Sequence, residues 1–168
     1  MLNELGNSWL IRLKKQSQIN VKKQKYKIRI YENLLDCAEH FALIKGKIRR
    51  GITPRVRVIS SNIVQNYLIN QKLPNSFNKT LNYFKKYQNC VLVFIKDSNL
   101  RSVTQTLRRY NNRDFIKKGN DKSIKNYGIG AQIIKDLKIK NMILITRSLK
   151  KVIGLDGYGI KITKQELI

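Results

Sequence analysis

Acidic side chains are what this sequence most lacks. Its 168 residues carry 10 Asp and Glu against 35 Lys and Arg, a net charge of +25. Between His40 and Lys96 there is no carboxylate at all, which leaves that third of the chain without a carboxylate for general acid–base work. Metal-binding types are as scarce. Cys37 and Cys90 stand far apart with no CxxC spacing, and His40 is the sole histidine. No disulfide framework and no Cys/His zinc motif can be written from them, so neither metal nor cofactor is expected, and the two thiols read as small buried hydrophobes. No apolar run approaches the roughly 20 residues that span a bilayer, and no membrane partner is expected. A charge of this size repels itself and attracts polyanions, which points to nucleic acid.

What is present is patterned like a globular domain of 42% hydrophobic residues. Residues 1–25 stand apart. Leu2, Leu5, Trp9 and Leu13 fall at helical spacing, and an acid-free run with Lys14, Lys15, Lys22 and Lys23 follows. A basic N-terminal helix and arm is expected there, with a single domain over 26–168. Within that domain "KYKIRIY" (25–31), "HFALIKGKI" (40–48) and "RVRVIS" (55–60) read as strands, and "RRGITP" as the turn between the last two. "SFNKTLNYFKKY" (76–87) has a helical stripe, "CVLVFI" (90–95) has the length of a buried strand, and 98–110 reads as a helix. Residues 111–123 read as a polar loop. A helix from about 126, strand 142–146 and a last strand 158–163 complete a mixed α+β order.

The stretch "YGIGAQIIKDLKIKNMILIT" (127–146) with "RSLKKVIGLDGYGIKI" (147–162) resembles the C-terminal part of the GTP cyclohydrolase II family, and "EHFALIKGKI" (39–48) and "PRVRVIS" (54–60) resemble its early strands. The resemblance implies a cyclohydrolase-II-like α/β domain, and in that family a zinc-bound water opens the guanine ring on three cysteine ligands. The corresponding positions here hold Asn62, Leu73 and Asn75. Ile59 and Ser61 stand where the resemblance implies a histidine and a glutamate, and Lys125 and Ser123 where it implies an arginine and a carboxylate. Arg57, Thr146 and Lys151 match substrate-contacting positions; with Lys125 they mark a vestigial substrate site. No catalytic residue is assigned, and the resemblance reads as that of a pseudoenzyme. In the retained helix Ile129, Ile133, Ile134 and Leu137 form an apolar face, while Gly128 and Gly130 serve close packing or mark a phosphate-binding helix N-terminus.

The remaining signal is basic residues interleaved with aromatics. Lys47, Arg49, Arg50 and Arg55 crowd the first turn, and Arg108, Arg109, Arg113, Lys117 and Lys118 crowd a loop beside Tyr110 and Phe115. Together with Lys14, Lys15, Lys22 and Lys23 they form a candidate RNA-contacting set. The sequence alone therefore points first to a non-catalytic, rRNA-binding structural protein among neighbouring ribonucleoprotein subunits. That would be a mitochondrial ribosomal protein of the matrix, or a cytoplasmic one in a bacterium. The alternative is a non-catalytic partner or regulatory domain in riboflavin synthesis, because cyclohydrolase-II-like domains are paired with 3,4-dihydroxy-2-butanone 4-phosphate synthase.

Overall fold

The computed structural model describes residues 9–61, 76–96, Thr104, Leu107, 121–149, Val152 and 155–168, with side chains from 128 onward in the long helix. Seven strands form one mixed sheet in the order β1-β2-β3-β5-β4-β6-β7. They are β1 (Ile11–Val21), β2 (Gln24–Asn33), β3 (Glu39–Lys45), β4 (Arg55–Ser61), β5 (Cys90–Lys96), β6 (Asn141–Thr146) and β7 (Lys161–Leu167). β1, β2, β3 and β5 pair antiparallel. β5, β4, β6 and β7 pair parallel. Helix α1 (Ser76–Phe84) leads into β5, and α2 (Asp121–Asp136) leads into β6. The α+β class and the central strands agree with the sequence reading.

The sheet is covered on both faces, and β5 shows why. Val91, Val93 and Ile95 join Ile133 and Ile134 of α2, and Leu137 just past its end, in one buried cluster. Cys90 and Leu92 join Leu81 and Phe84 of α1 in the other. A strand buried on both faces has no wet side, so "CVLVFI" is apolar throughout. The expected apolar face of α2 is therefore correct, with Ile129 packed at its margin. Gly46 closes β3 at φ +76°, where a Cβ would stand 2.3 Å from the Gln88 carbonyl oxygen. Only glycine fits that turn.

Two expectations are corrected. Residues 11–25 are not a helix and arm: β1 pairs with β2 from Ile11↔Asn33 to Val21↔Gln24, making the first hairpin of the sheet. Leu2 and Leu5 lie outside the described residues; from Ile11 on, a ladder of backbone hydrogen bonds takes any side chain that tolerates an extended backbone. Lys22 and Lys23 lie at its turn with φ of 49° and 63°, the left-handed pair that a two-residue hairpin requires. In addition, α2 begins at Asp121, inside the expected loop and about two turns before Gly128. The glycines are interior to the helix and cannot form its N-terminus. The expected helix 98–110 lies outside the described residues except for Thr104 and Leu107, both helical.

Candidate functional site

The parallel half of the sheet sets the site. The strands β4 and β5 end together, with Ser61 level with Lys96, and β6 runs beside β4 with Ile143 to Ile145 opposite Arg55 to Arg57. After β4 the chain returns through α1 on one face, and after β5 through α2 on the other. Adjacent parallel strands whose connections leave to opposite faces open a crevice at their carboxyl ends, where α/β folds bind ligands.

Arg57 and Thr146 lie in this region. Arg57, on β4, is buried, and its Nη1 donates to the Ile145 carbonyl at 2.9 Å. The Thr146 hydroxyl, one residue further along β6, donates to the Ser148 carbonyl at 2.8 Å. The structure thus brings together two of the four positions marked from the sequence. Lys151 lies outside the described residues, as do Asn62, Leu73 and Asn75; of Lys125 and Ser123 only the helical backbone is described. The lone histidine is a group that the sequence reading passed over. His40 is buried at the start of β3, and the Lys96 amide donates to its Nδ1 at 3.1 Å, which leaves the ring proton on Nε2. Burial holds its pKa below the usual value, with Lys96 adding to the shift and Asp36 opposing it. Only its place beside the last residue of β5 reveals it, and one histidine in a linear sequence carries no such signal. Arg57, Lys96, Ser60, Ser61 and Thr146 make this end of the sheet rich in donors, a setting that suits an anionic ligand.

The donor set does not fit zinc. Cys90 opens β5, level with Arg55 at the opposite end of the parallel strands. Burial pushes its thiol pKa up to about 11, which keeps it protonated. Cys37 is exposed in the turn after β2. Among the described residues no three His, Cys, Asp or Glu side chains gather as metal ligands.

The basic residues are spread rather than gathered. Lys47, Arg49 and Arg50 are exposed in the turn after β3, and Lys15, Lys22 and Lys23 are exposed on the hairpin. Lys14 is held by Glu39 at 2.7 Å. Arg55 is not a surface cation. Its guanidinium lies 3.6 Å from the centroid of the Tyr87 ring, and its Nε bonds to Glu166 at 3.3 Å and Tyr83 at 3.2 Å, with the Tyr83 hydroxyl donating to Glu166. This cluster joins β4, α1 and β7 as a structural clasp. Arg108, Arg109, Arg113, Lys117 and Lys118 lie outside the described residues.

The fold is a mixed α+β domain with a donor-rich end to its parallel strands. The profile of the GTP cyclohydrolase II family matches residues 12–166, and the chain belongs to that family. Similar proteins include riboflavin biosynthesis protein RibBA of Chlorobium phaeovibrioides, 27% identical, with the match covering 96% of this chain and 42% of that protein. Probable monofunctional riboflavin biosynthesis protein RIBA 3, chloroplastic, of Oryza sativa subsp. japonica is 30% identical, over 91% of this chain and 31% of that protein. Bifunctional riboflavin biosynthesis protein RIBA 1, chloroplastic, of Arabidopsis thaliana is 31% identical, over 79% and 26%. The chain thus spans less than half the length of these relatives. The crystal structure of RibBX, a two domain 3,4-dihydroxy-2-butanone 4-phosphate synthase from A. baumannii, shares the fold at a TM-score of 0.59 and 23% identity, over 96% of this chain and 40% of that one.

These relatives overturn two expectations. They are riboflavin biosynthesis proteins by name, so the ribosomal, RNA-binding reading is corrected. The same names overturn the expectation that the chain is no enzyme. The missing thiolates bear on one zinc-dependent reaction and not on a role in the pathway. The mitochondrial placement is not supported either: the plant relatives are chloroplastic by name. The charge argument failed because net charge speaks to solubility and non-specific attraction and does not by itself name a partner. Three hairpin and sheet-edge cations, Arg12, Lys14 and Arg29, are met by Glu32, Glu39 and Asp136 within the fold.

Proposed function

We propose that this chain works in riboflavin synthesis as a cyclohydrolase-II-type domain that serves a 3,4-dihydroxy-2-butanone 4-phosphate synthase as its partner or regulatory domain. The observation that carries the reading is one of coverage. The family match takes in every strand of the sheet, yet the chain amounts to 42% of RibBA and 26% of a bifunctional RIBA protein. A domain of this size is one part of a larger apparatus in those relatives. The donor-rich crevice with Arg57 and Thr146 supports an anionic ligand, consistent with a pathway of phosphorylated intermediates. A strain lacking the gene should require riboflavin in its medium and recover with a plasmid-borne copy. Unimpaired growth without riboflavin would overturn the reading.

A further inference from the structure

The ladder between β3 and β5 stops two residues short of the strands it joins. Its last backbone pair is Phe41↔Phe94, although β3 begins at Glu39 and β5 runs to Lys96. On the far side of β3 the pairing with β2 continues to Glu32↔Glu39, and on the far side of β5 the pairing with β4 continues to Ser61↔Lys96. A side chain fills the gap. The Lys96 amide donates to His40 Nδ1 at 3.1 Å, so an imidazole takes the place of a strand carbonyl. The ring is 1% exposed, and its Nε2–H meets no acceptor among the described residues. A buried donor without a partner costs free energy, and the bond to Lys96 is the one side-chain hydrogen bond that His40 makes among those residues.

A backbone carbonyl accepts at every pH, whereas Nδ1 accepts only while the ring is neutral. Imidazolium carries a proton on both nitrogens. Protonation would therefore set Nδ1–H against the Lys96 N–H, donor against donor, and gain no new partner. The charged groups on the surrounding elements do not remove this conflict. Asp36, in the turn after β2, favours the imidazolium and Lys96 opposes it, while burial, the largest influence, disfavours it. Glu39, next to it on β3, is paired with Lys14 of β1 at 2.7 Å. Tyr31, opposite it on β2, bonds at 2.7 Å to Asp136 of α2, where Arg29 also pairs, and Lys135 of α2 faces the Trp9 ring.

We propose that His40 is a pH-sensitive latch on the carboxyl end of β5: the neutral ring holds the Lys96 amide and the imidazolium releases it, loosening the end of the sheet where Lys96 and Ser61 border the crevice. The device goes beyond the partnership proposed above and does not depend on it. Amide-exchange NMR on the full chain, with the His40 ring signals followed in the same samples, tests it. Between about pH 7.5 and about pH 5 the Lys96 amide should lose about fivefold in protection, the worth of one hydrogen bond, in step with titration of the ring. The mid-strand Val93 amide should change less. His40→Asn offers an acceptor oxygen close to the place of Nδ1 and does not titrate, so its Lys96 amide should show no such pH step. His40→Leu offers no acceptor, so its Lys96 amide should be weakly protected at every pH. Should the leucine variant fail to fold, the unmodified chain and His40→Asn decide between them. Lys96 protection that ignores titration of the ring, or an equal loss at Val93, would overturn the latch. So would a ring that stays neutral until the chain unfolds, or a pH step that persists in His40→Asn.

Discussion

The centre of the sheet and its β1 edge are built on opposite rules. β5 exposes only its terminal Lys96, and its neighbours β3 and β4 expose one residue each. Eleven-residue β1 buries only Ile11. The central strands are held by packing against two helices, whereas β1 is held by its ladder to β2 and a few anchors, among them the Leu10 amide on Gln132 Oε1 at 2.8 Å. The difference shows where a chain of such charge can keep its lysines. Cations crowd a strand that has water on both sides, where desolvation costs little, and leave the doubly covered strands apolar. A basic edge also resists pairing with another copy of itself.

Substitutions that remove buried volume test this contrast most severely. Leu92 is fully buried between β5 and α1, so Leu92→Ala should cost about 2–5 kcal/mol in denaturant unfolding. Ile19→Ala, on a side chain 40% exposed, should change stability by less than about 0.5 kcal/mol. Comparable losses would mean that the hairpin is as much a part of the core as β5.

Next in size is Gly130, where α2 crosses the sheet. A Cβ there would stand 3.3 Å from Ile95 Cδ1 and 3.4 Å from Val58 Cγ1. Gly130→Val adds two further methyl groups into that gap and should destabilise by about 1–3 kcal/mol. A thermal midpoint equal to that of the parent would show the helix able to ride up without cost.

The Arg55 clasp lies between the two regimes, since Arg55 and Glu166 are each partly covered. Arg55→Ala removes the cation over Tyr87 and the pairing with Glu166, and should cost about 1–2 kcal/mol. Arg55→Lys should recover little, because an ammonium cannot stack on the ring while keeping the side-on bond of Nε. Full stability in either variant would return Arg55 to the surface cations.

His40 offers a test by pH. Its folded pKa lies below the usual 6.5 because burial disfavours the imidazolium. The unfolded chain therefore takes up the proton first. Stability is fully present above about pH 6.5 and declines as pH falls from there toward the folded pKa. His40→Asn should lose that slope in unfolding free energy measured just below 6.5. A slope unchanged by the substitution would assign it to other groups.

Legibility in the sequence follows burial. "CVLVFI" and "MILIT" were readable as strands because burial on both faces requires unbroken apolar runs. β1 was not, because residues such as Gln16, Ser17 and Gln18 face water on either side and leave no alternation. The start of α2 was hidden for a related reason: "DKSIKNY" offers no apolar stripe in the sequence. At the site, family motifs marked Arg57 and Thr146, but His40 became visible only through its contact with an amide 56 residues away.

The smallest expected effect is also the sharpest on the glycine pair. Gly128 and Gly130 share one motif, yet only Gly130 is pressed against the sheet; a Cβ on Gly128 would meet the Tyr158 hydroxyl at 3.8 Å, an ordinary contact. With α2 already helical from Asp121, Gly128 is an interior position where glycine loses more backbone entropy than alanine would. Gly128→Ala should therefore stabilise the fold by about 0.5–1 kcal/mol, opposite in sign to Gly130→Val. Denaturant midpoints of the two variants, measured side by side, give the comparison. Destabilisation by Gly128→Ala would mean that the helix needs freedom at this turn, and that close packing at Gly130 does not by itself account for the pair.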